Sequence, residues 1–120
     1  MRDYPKPIKK WLRELMGTAY ERELQRELRQ LDQSFAAWRA GRLSSGELSA
    51  RVHQYDVGVS RDLFNHYNHS PPDLAVAYAL VVGILQPDEV PPEVLAALSG
   101  PLHFYQGLQE RNELKQPGER

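Results

Sequence analysis

The sequence contains no cysteine, and its longest apolar stretch, from Leu74 to Leu85, has only 12 residues. Without cysteine the chain has no disulfide bond, no thiolate nucleophile and no cysteine-ligated zinc or iron–sulfur site. The apolar stretch is shorter than the about 20 residues that a membrane-spanning helix needs. The first ten residues hold two prolines and four Lys/Arg with no apolar run behind them, which is not the pattern of a signal peptide. We therefore expect a cytoplasmic protein with no membrane partner.

Sequence motifs that identify catalytic sites by their spacing are also missing. The chain has no GxSxG nucleophile elbow, no GxGxxG phosphate loop and no HExxH zinc motif. Their absence favours a non-enzymatic protein without a cofactor.

What the chain does have is the composition of one globular domain. It is 120 residues long, with 41% hydrophobic and 26% charged residues, close to the averages for folded proteins. We expect a single helical domain over residues 1–120, with residues 1–6 and 115–120 frayed. The net charge is −1, but residues 1–42 hold ten Lys/Arg against six Asp/Glu, while residues 43–120 hold five against ten. This uneven distribution favours self-contact or an acidic partner for the N-terminal part.

The strongest periodic pattern lies in the N-terminal third and predicts a helix from near Pro7 to near Gly41. A helix of that length spans about 50 Å, more than the width of a compact domain of this size. The apolar pattern slips between Met16 and Tyr20, where Gly17 weakens the helix, so a bend is the alternative to the continuous helix that we expect. Beyond the slip the apolar spacing is 4, 3, 4, 3, as in a coiled coil. We call this row the seam: Leu24, Leu28, Leu31, Phe35 and Trp38.

Three local signals mark the turn after this helix. Gly41 is placed to end it, Ser44 and Glu47 form a capping box for the next helix, and Leu43 lies where a hydrophobic staple requires it. The second helix is predicted over about Ser45–Tyr67, packed antiparallel on the first as a helical hairpin. Two shorter helices, divided at Gly58 and restarted at Ser60, are the alternative.

The third predicted helix, about Pro71–Gln86, is apolar nearly all round and must be buried on most sides. The sequence leaves open whether it is buried within a monomer or at an oligomer interface. Prolines then divide the rest of the chain into a short helix, about Pro91–Leu98, and a last one, about Leu102–Leu114. The fold class is therefore all-α: a long N-terminal helix in a hairpin, an apolar central helix, and one or two short C-terminal helices.

Two groups of residues are candidates for an interaction surface. The first is a basic and aromatic cluster at the start of the long helix, of the kind that contacts phosphates or acidic partners. The second is the aromatic end of the seam, because Trp and Phe are frequent interface anchors. The candidates are Lys6, Lys9, Lys10, Trp11, Arg13, Phe35 and Trp38.

These features predict a non-enzymatic protein-interaction or regulatory protein, with a protein partner or a second copy of itself in a homodimer. The long helix would present the partner surface. The alternative is a nucleic-acid-associated accessory protein that uses the basic cluster, although the near-neutral net charge does not favour it.

A second alternative is a metal-dependent enzyme built on His53, Asp56 and His66, because these residue types at helical spacing can ligate a metal. A carboxylate pair at Glu23 and Glu27 has the spacing of a helical di-metal site, but no Glu-x-x-His motif accompanies it. We therefore expect the two glutamates on a solvated helix face.

Overall fold

The computed structural model describes residues 3–119, and no strand occurs among them. The all-α prediction is therefore confirmed. The helices are α1 (Lys6–Arg39), α2 (Ser45–Tyr55), α3 (Arg61–His69), α4 (Pro72–Val81), α5 (Pro92–Ala97) and α6 (Ser99–Glu110).

The long helix α1 is continuous through Gly17, as predicted. Pro7 lies in its first turn, where a missing backbone N–H costs no hydrogen bond. At its other end Gly41 adopts φ +77°, and the Arg42 N–H donates to the Ala37 carbonyl at 2.9 Å. This is the glycine-terminated Schellman motif, so the helix ends where the sequence predicted and for the predicted reason.

The turn that follows reverses the chain into a helical hairpin. The Ser44 hydroxyl accepts a hydrogen bond from the Glu47 backbone N–H at 3.1 Å, which confirms the predicted cap. The Trp38 indole N–H donates to the Ser45 hydroxyl at 3.0 Å and joins the two helices beside the turn. Contacts between α1 and α2 continue along the hairpin.

Between α2 and α3 the helical path continues through one π-helical turn, Asp56–Ser60. Ser60 has helical backbone angles, φ −60° and ψ −48°, and its side chain caps nothing. The alternative of a fresh start at Ser60 is therefore wrong. The predicted second helix is continuous across the π-helical turn that contains Gly58, and it extends to His69.

The apolar helix α4 ends at Val81, five residues before the predicted end at Gln86. Gly83 adopts φ +85°, and the Ile84 N–H donates to the Ala79 carbonyl at 2.9 Å. This is a second Schellman motif. The apolar residues after it leave the helix and extend the core as an irregular segment.

The last helix, α6, is shifted toward the N-terminus relative to the prediction of Leu102–Leu114. It begins at Ser99 because Pro101 is tolerated in a first turn. It ends at Glu110 because Asn112 adopts the left-handed conformation, φ +56°, that stops a helix.

The hydrophobic core surrounds α4 and the first half of α1. Val76, Ala77 and Ala79 of α4 are fully buried within the single chain, which answers the question that the sequence left open about this helix. The buried members of the core are Ile8, Leu12, Leu15, Ala19, Leu63, Tyr67, Val76, Ala79, Leu85, Val90, Val94 and Leu98.

The molecule is elongated, with extents of 53 × 32 × 25 Å and a radius of gyration of 17.1 Å. A compact domain of this length has a radius of gyration of about 14 Å. The long extent matches α1, whose 34 residues span about 51 Å. One end of α1 therefore extends beyond the core.

Candidate interaction surface

The end of α1 that leaves the core forms an arm with α2. The buried core residues of α1 are Ile8, Leu12, Leu15 and Ala19, all in its first half. None of the buried members of the core lies between residues 25 and 62. We call residues 25–55 the arm: the second half of α1, the turn and α2.

The arm is held together mainly by its own two helices. Leu43 and Leu48 are buried at the turn. Farther along, the Arg51 guanidinium donates to the hydroxyl of Ser34 at 3.0 Å, and Ser34 is itself buried. The arm has only two helices, and Leu43 and Leu48 are its only buried hydrophobic residues among those described, whereas the core buries residues from several helices.

The seam runs from Leu24, at the edge of the core, along the α1 side of the arm, and it is only partly covered. Leu28 is 47% exposed and Trp38 41% exposed, while Leu24, Leu31 and Phe35 are half-buried. At 100° per residue the seam lies roughly 150° around α1 from its core-facing side chains. The seam and the core therefore use nearly opposite faces of the same helix.

The two aromatic residues of the seam differ in their roles. Trp38 is bonded to Ser45 through its indole N–H, so part of its role is to hold the turn. Phe35 is half-buried within the arm and leaves one side open.

The predicted basic cluster is an ordered stripe on α1. Lys6, Lys9, Lys10 and Arg13 are spaced i, i+3, i+4 and i+7, which places them on one face of the helix. Only Lys9 is half-buried, and it forms an ion pair with Asp3 at 3.9 Å. We call these four residues the basic stripe. Trp11, which was predicted with them, is 40% exposed but lies on another face of α1, because its position falls outside this spacing.

The basic stripe and the seam lie along the same face of α1. Lys10, Arg13 and Gly17 follow one another at steps of three and four residues, and Leu24 comes two turns later. A Cβ placed on Gly17 would meet nothing within 4 Å. This face is therefore open from the basic stripe to the seam, and at Gly17, between them, no side chain projects from it.

Glu23 is a buried carboxylate that the sequence pattern did not predict. Glu23 is 3% exposed and Glu27 is half-buried, so the prediction that both lie on a solvated face is wrong. Glu23 follows Ala19 by one helical turn, and thus continues the core-facing row of α1. That spacing is the signal in the sequence that places Glu23 on the core-facing row, beside the more regular row of leucines.

Aromatic side chains surround this carboxylate. The Tyr67 hydroxyl of α3 donates a hydrogen bond to Glu23 Oε2, and the ring of Tyr20 stacks on that of Tyr67 with centroids 4.8 Å apart. A buried carboxylate must keep such donors, because water no longer solvates it. Glu23 therefore links α1 to α3 through a polar contact within an otherwise apolar region.

Two small open cavities flank Glu23 and Arg26. One is bounded by Arg22 and Pro117, and the other by Asp62 and Gly118. Residues 117–118 of the C-terminal segment lie between them. A Cβ on Gly118 would lie 3.2 Å from the Arg26 guanidinium, so the segment passes close over this side chain.

The histidines do not assemble the metal centre that the second alternative required. His53 and Asp56 are exposed on the arm side. His66 lies edge-on to Tyr67 at 4.7 Å between ring centroids. Within residues 3–119 no group of three or more His, Asp or Glu side chains is arranged to hold a metal ion.

An ion pair fixes the segment after α4 to α1. Arg22 donates to both carboxylate oxygens of Glu89 and to the Ile84 carbonyl at 2.8 Å. The hydrogen bonds from Arg22, and then from the Gln86 backbone N–H, lower the pKa of Glu89 from 4.5 to about 2.

This ion pair makes stability depend on pH in one direction. Glu89 has a lower pKa in the folded chain than in the unfolded one, so its contribution is present above about pH 4.5 and is lost as the pH falls toward 2. We expect Arg22→Gln to raise the Glu89 pKa toward 4.5 and to flatten this dependence. An NMR titration of the Glu89 carboxyl measures the shift, and Arg111→Gln, at the surface pair with Glu113, is the control. A Glu89 that titrates normally in the unaltered protein contradicts the expectation.

Comparison of the chain with protein-family models, with curated proteins and with solved structures gives no match. Among the described residues, no helix combines the length and the apolar character needed to cross a membrane. The functional assignment therefore depends on the surface itself.

Proposed function

We propose that this chain is a non-catalytic protein-interaction domain and that the seam on its arm is the partner surface. The observation that carries the proposal is a row of apolar side chains with coiled-coil spacing that begins at Leu24, which packs against the edge of the core, and continues beyond the core from Leu28 to Trp38. Single exposed apolar residues are common on protein surfaces. A regular row is different, because its spacing matches the side of a partner helix.

The form of the surface favours a helical partner. A second helix laid along the seam would cover Leu28 and the open sides of Phe35 and Leu31 together. Hydrophobic burial supports association at about 25 cal/mol per Å² of apolar surface. The arm extends from the core, so a partner can approach it without contact with the rest of the domain.

Nucleic-acid binding through the basic stripe is the second candidate. Its support is the placement of four cations on one face of α1. The stripe covers only about two turns, and Glu14 and Glu21 follow it along the helix. The seam is longer and apolar, and for that reason protein interaction ranks first.

Photo-crosslinking tests the proposed function. We expect a photoreactive amino acid at Leu28 to give a covalent adduct of discrete mass in cells that make the protein naturally. The same group at Gln33, which is exposed about 140° around α1 from Leu28, is the matched control and should give none. Equal adducts from both positions, or none from Leu28, would overturn the proposal.

A further inference from the structure

We infer that the partner of the seam is a second copy of this chain, paired antiparallel through the arms. The inference rests on the proposed function and names its partner. A two-fold symmetric interface brings the same patch of both copies together, so the patch must be complementary to itself. The seam satisfies this condition in its spacing, in its flanking charges and in the space at its ends.

The spacing of the first four seam residues reads the same in both directions, and Trp38 lies outside this symmetric set. Leu24, Leu28, Leu31 and Phe35 follow one another at steps of 4, 3 and 4. A two-fold axis between residues 29 and 30 places Leu24 level with Phe35 of the second copy, and Leu28 level with Leu31. These are the layers in which side chains pack in an antiparallel coiled coil.

The charges beside the seam complement each other in this register. Glu21 and Arg39 lie on the same flank of α1, 18 residues or five turns apart. Antiparallel pairing brings Glu21 level with Trp38 of the second copy and within one residue, about 1.5 Å along the axis, of Arg39 at each end of the interface. On the same flank, Asp32 lies close to Gln25 of the second copy. Both side chains of the Glu21–Arg39 pair are exposed.

The open surface around Gly17 gives the tip of the second arm a place to lie. In the proposed register Gly17 is level with Arg42 of the second copy, in the turn of its hairpin. A Cβ on Gly17 meets nothing within 4 Å. This gives a reason for a glycine in the middle of a helix, where it costs about 1 kcal/mol relative to alanine.

The pairing is expected to be weak and reversible. The seam is partly covered by α2, so it offers less than the about 800 Å² per partner of a standard stable interface. A dissociation constant on the order of micromolar is consistent with a surface of this kind.

Sedimentation equilibrium over a range of protein concentrations tests the pairing. We expect reversible dimers, and Leu28→Asp should weaken them about 30-fold or more, because a charge would be buried in each of the two central layers. Gln33→Asp, on the exposed opposite side of α1, should leave them unchanged.

The flanking charges are tested by a charge swap. Glu21→Arg and Arg39→Glu should each weaken dimers roughly fivefold, and the double variant should restore them. Circular dichroism checks that each variant keeps its fold.

Introduced cysteines test the direction of the pair, since the chain has none of its own. Leu28 and its symmetry copy are offset by about 4.5 Å along the helix axis, and Leu24 and its copy by about 17 Å. A short bifunctional thiol reagent should therefore link Leu28→Cys and not Leu24→Cys. Linkage of both variants would indicate a parallel pair and overturn the inference.

The failure of the inference is distinguishable from failure of the proposed function. A chain that stays monomeric at all concentrations overturns self-pairing. If Leu28 then still gives a discrete crosslinked adduct with another protein, the seam remains a partner surface. An adduct of twice the chain mass supports the function and the second copy together.

Discussion

Replacement of Leu12 by alanine is expected to lower the free energy of unfolding by about 3 kcal/mol. Leu12 is fully buried in the core-facing row of α1. Truncation removes its hydrophobic burial and leaves a cavity that the surrounding helices cannot completely fill. A loss of this size is a large part of the free energy of unfolding of an ordinary domain, which is about 5 to 15 kcal/mol.

The same substitution at Leu28 is the matched control, because it lies on the same helix and removes the same atoms. Leu28 is 47% exposed, so Leu28→Ala is expected to change the stability by no more than about 0.5 kcal/mol. Urea unfolding followed by circular dichroism measures both, at a low protein concentration where any self-association contributes little. If the two variants lost similar amounts of stability, the assignment of the core face and the seam to opposite sides of α1 would be wrong.

Replacement of Tyr67 by phenylalanine is expected to cost about 2 kcal/mol, although it removes a single oxygen atom. The lost hydroxyl donates to the carboxylate of Glu23, which is only 3% exposed. The carboxylate would lose a donor that water cannot replace without reorganisation of the site. Hydrogen bonds to charged groups contribute roughly 1.5–3 kcal/mol, more than bonds between neutral groups.

A double-mutant cycle separates this hydrogen bond from other effects of the substitution. Glu23→Gln keeps the shape of the side chain and removes its charge, so Tyr67→Phe should cost less in that background, with a coupling of about 1 kcal/mol or more. Tyr20→Phe is the control, because its ring stacks on Tyr67 and no hydrogen bond of its hydroxyl is described within residues 3–119. Additive losses at Glu23 and Tyr67 would show that the contact contributes little to stability.

The local course of the chain could be predicted from the sequence wherever a short segment carries its own signal. Gly41 ends α1 and Ser44 caps α2 as predicted, because caps and left-handed glycines act within a few residues of themselves. The Schellman motif at Gly83 is equally local, but it lies inside an apolar run whose continuity suggested a longer helix. The apolar pattern therefore predicted a longer helix than Gly83 permits.

The candidate surface was predicted only in part. The seam and the residues of the basic stripe follow from their spacing along one helix, which is a property of the sequence. Their exposure is not, because the sequence does not say which face of α1 the other helices cover. Phe35 proved half-buried, and Trp38 is engaged with Ser45. Neither result could be predicted without the position of α2.

The sequence by itself therefore determined which segments are helical, the hairpin and the row of apolar residues along the arm, since each depends on contacts within a few turns of the chain. The ends of α4 and α6 differ from the prediction. The tertiary structure alone decided that α4 and its neighbours pack on the first half of α1, and that Glu23 is buried beside Tyr67, 44 residues away. Burial depends on segments that meet from distant parts of the chain. The helical periodicity shows which side chains share a face, and only the packing of the helices decides which face remains open to a partner.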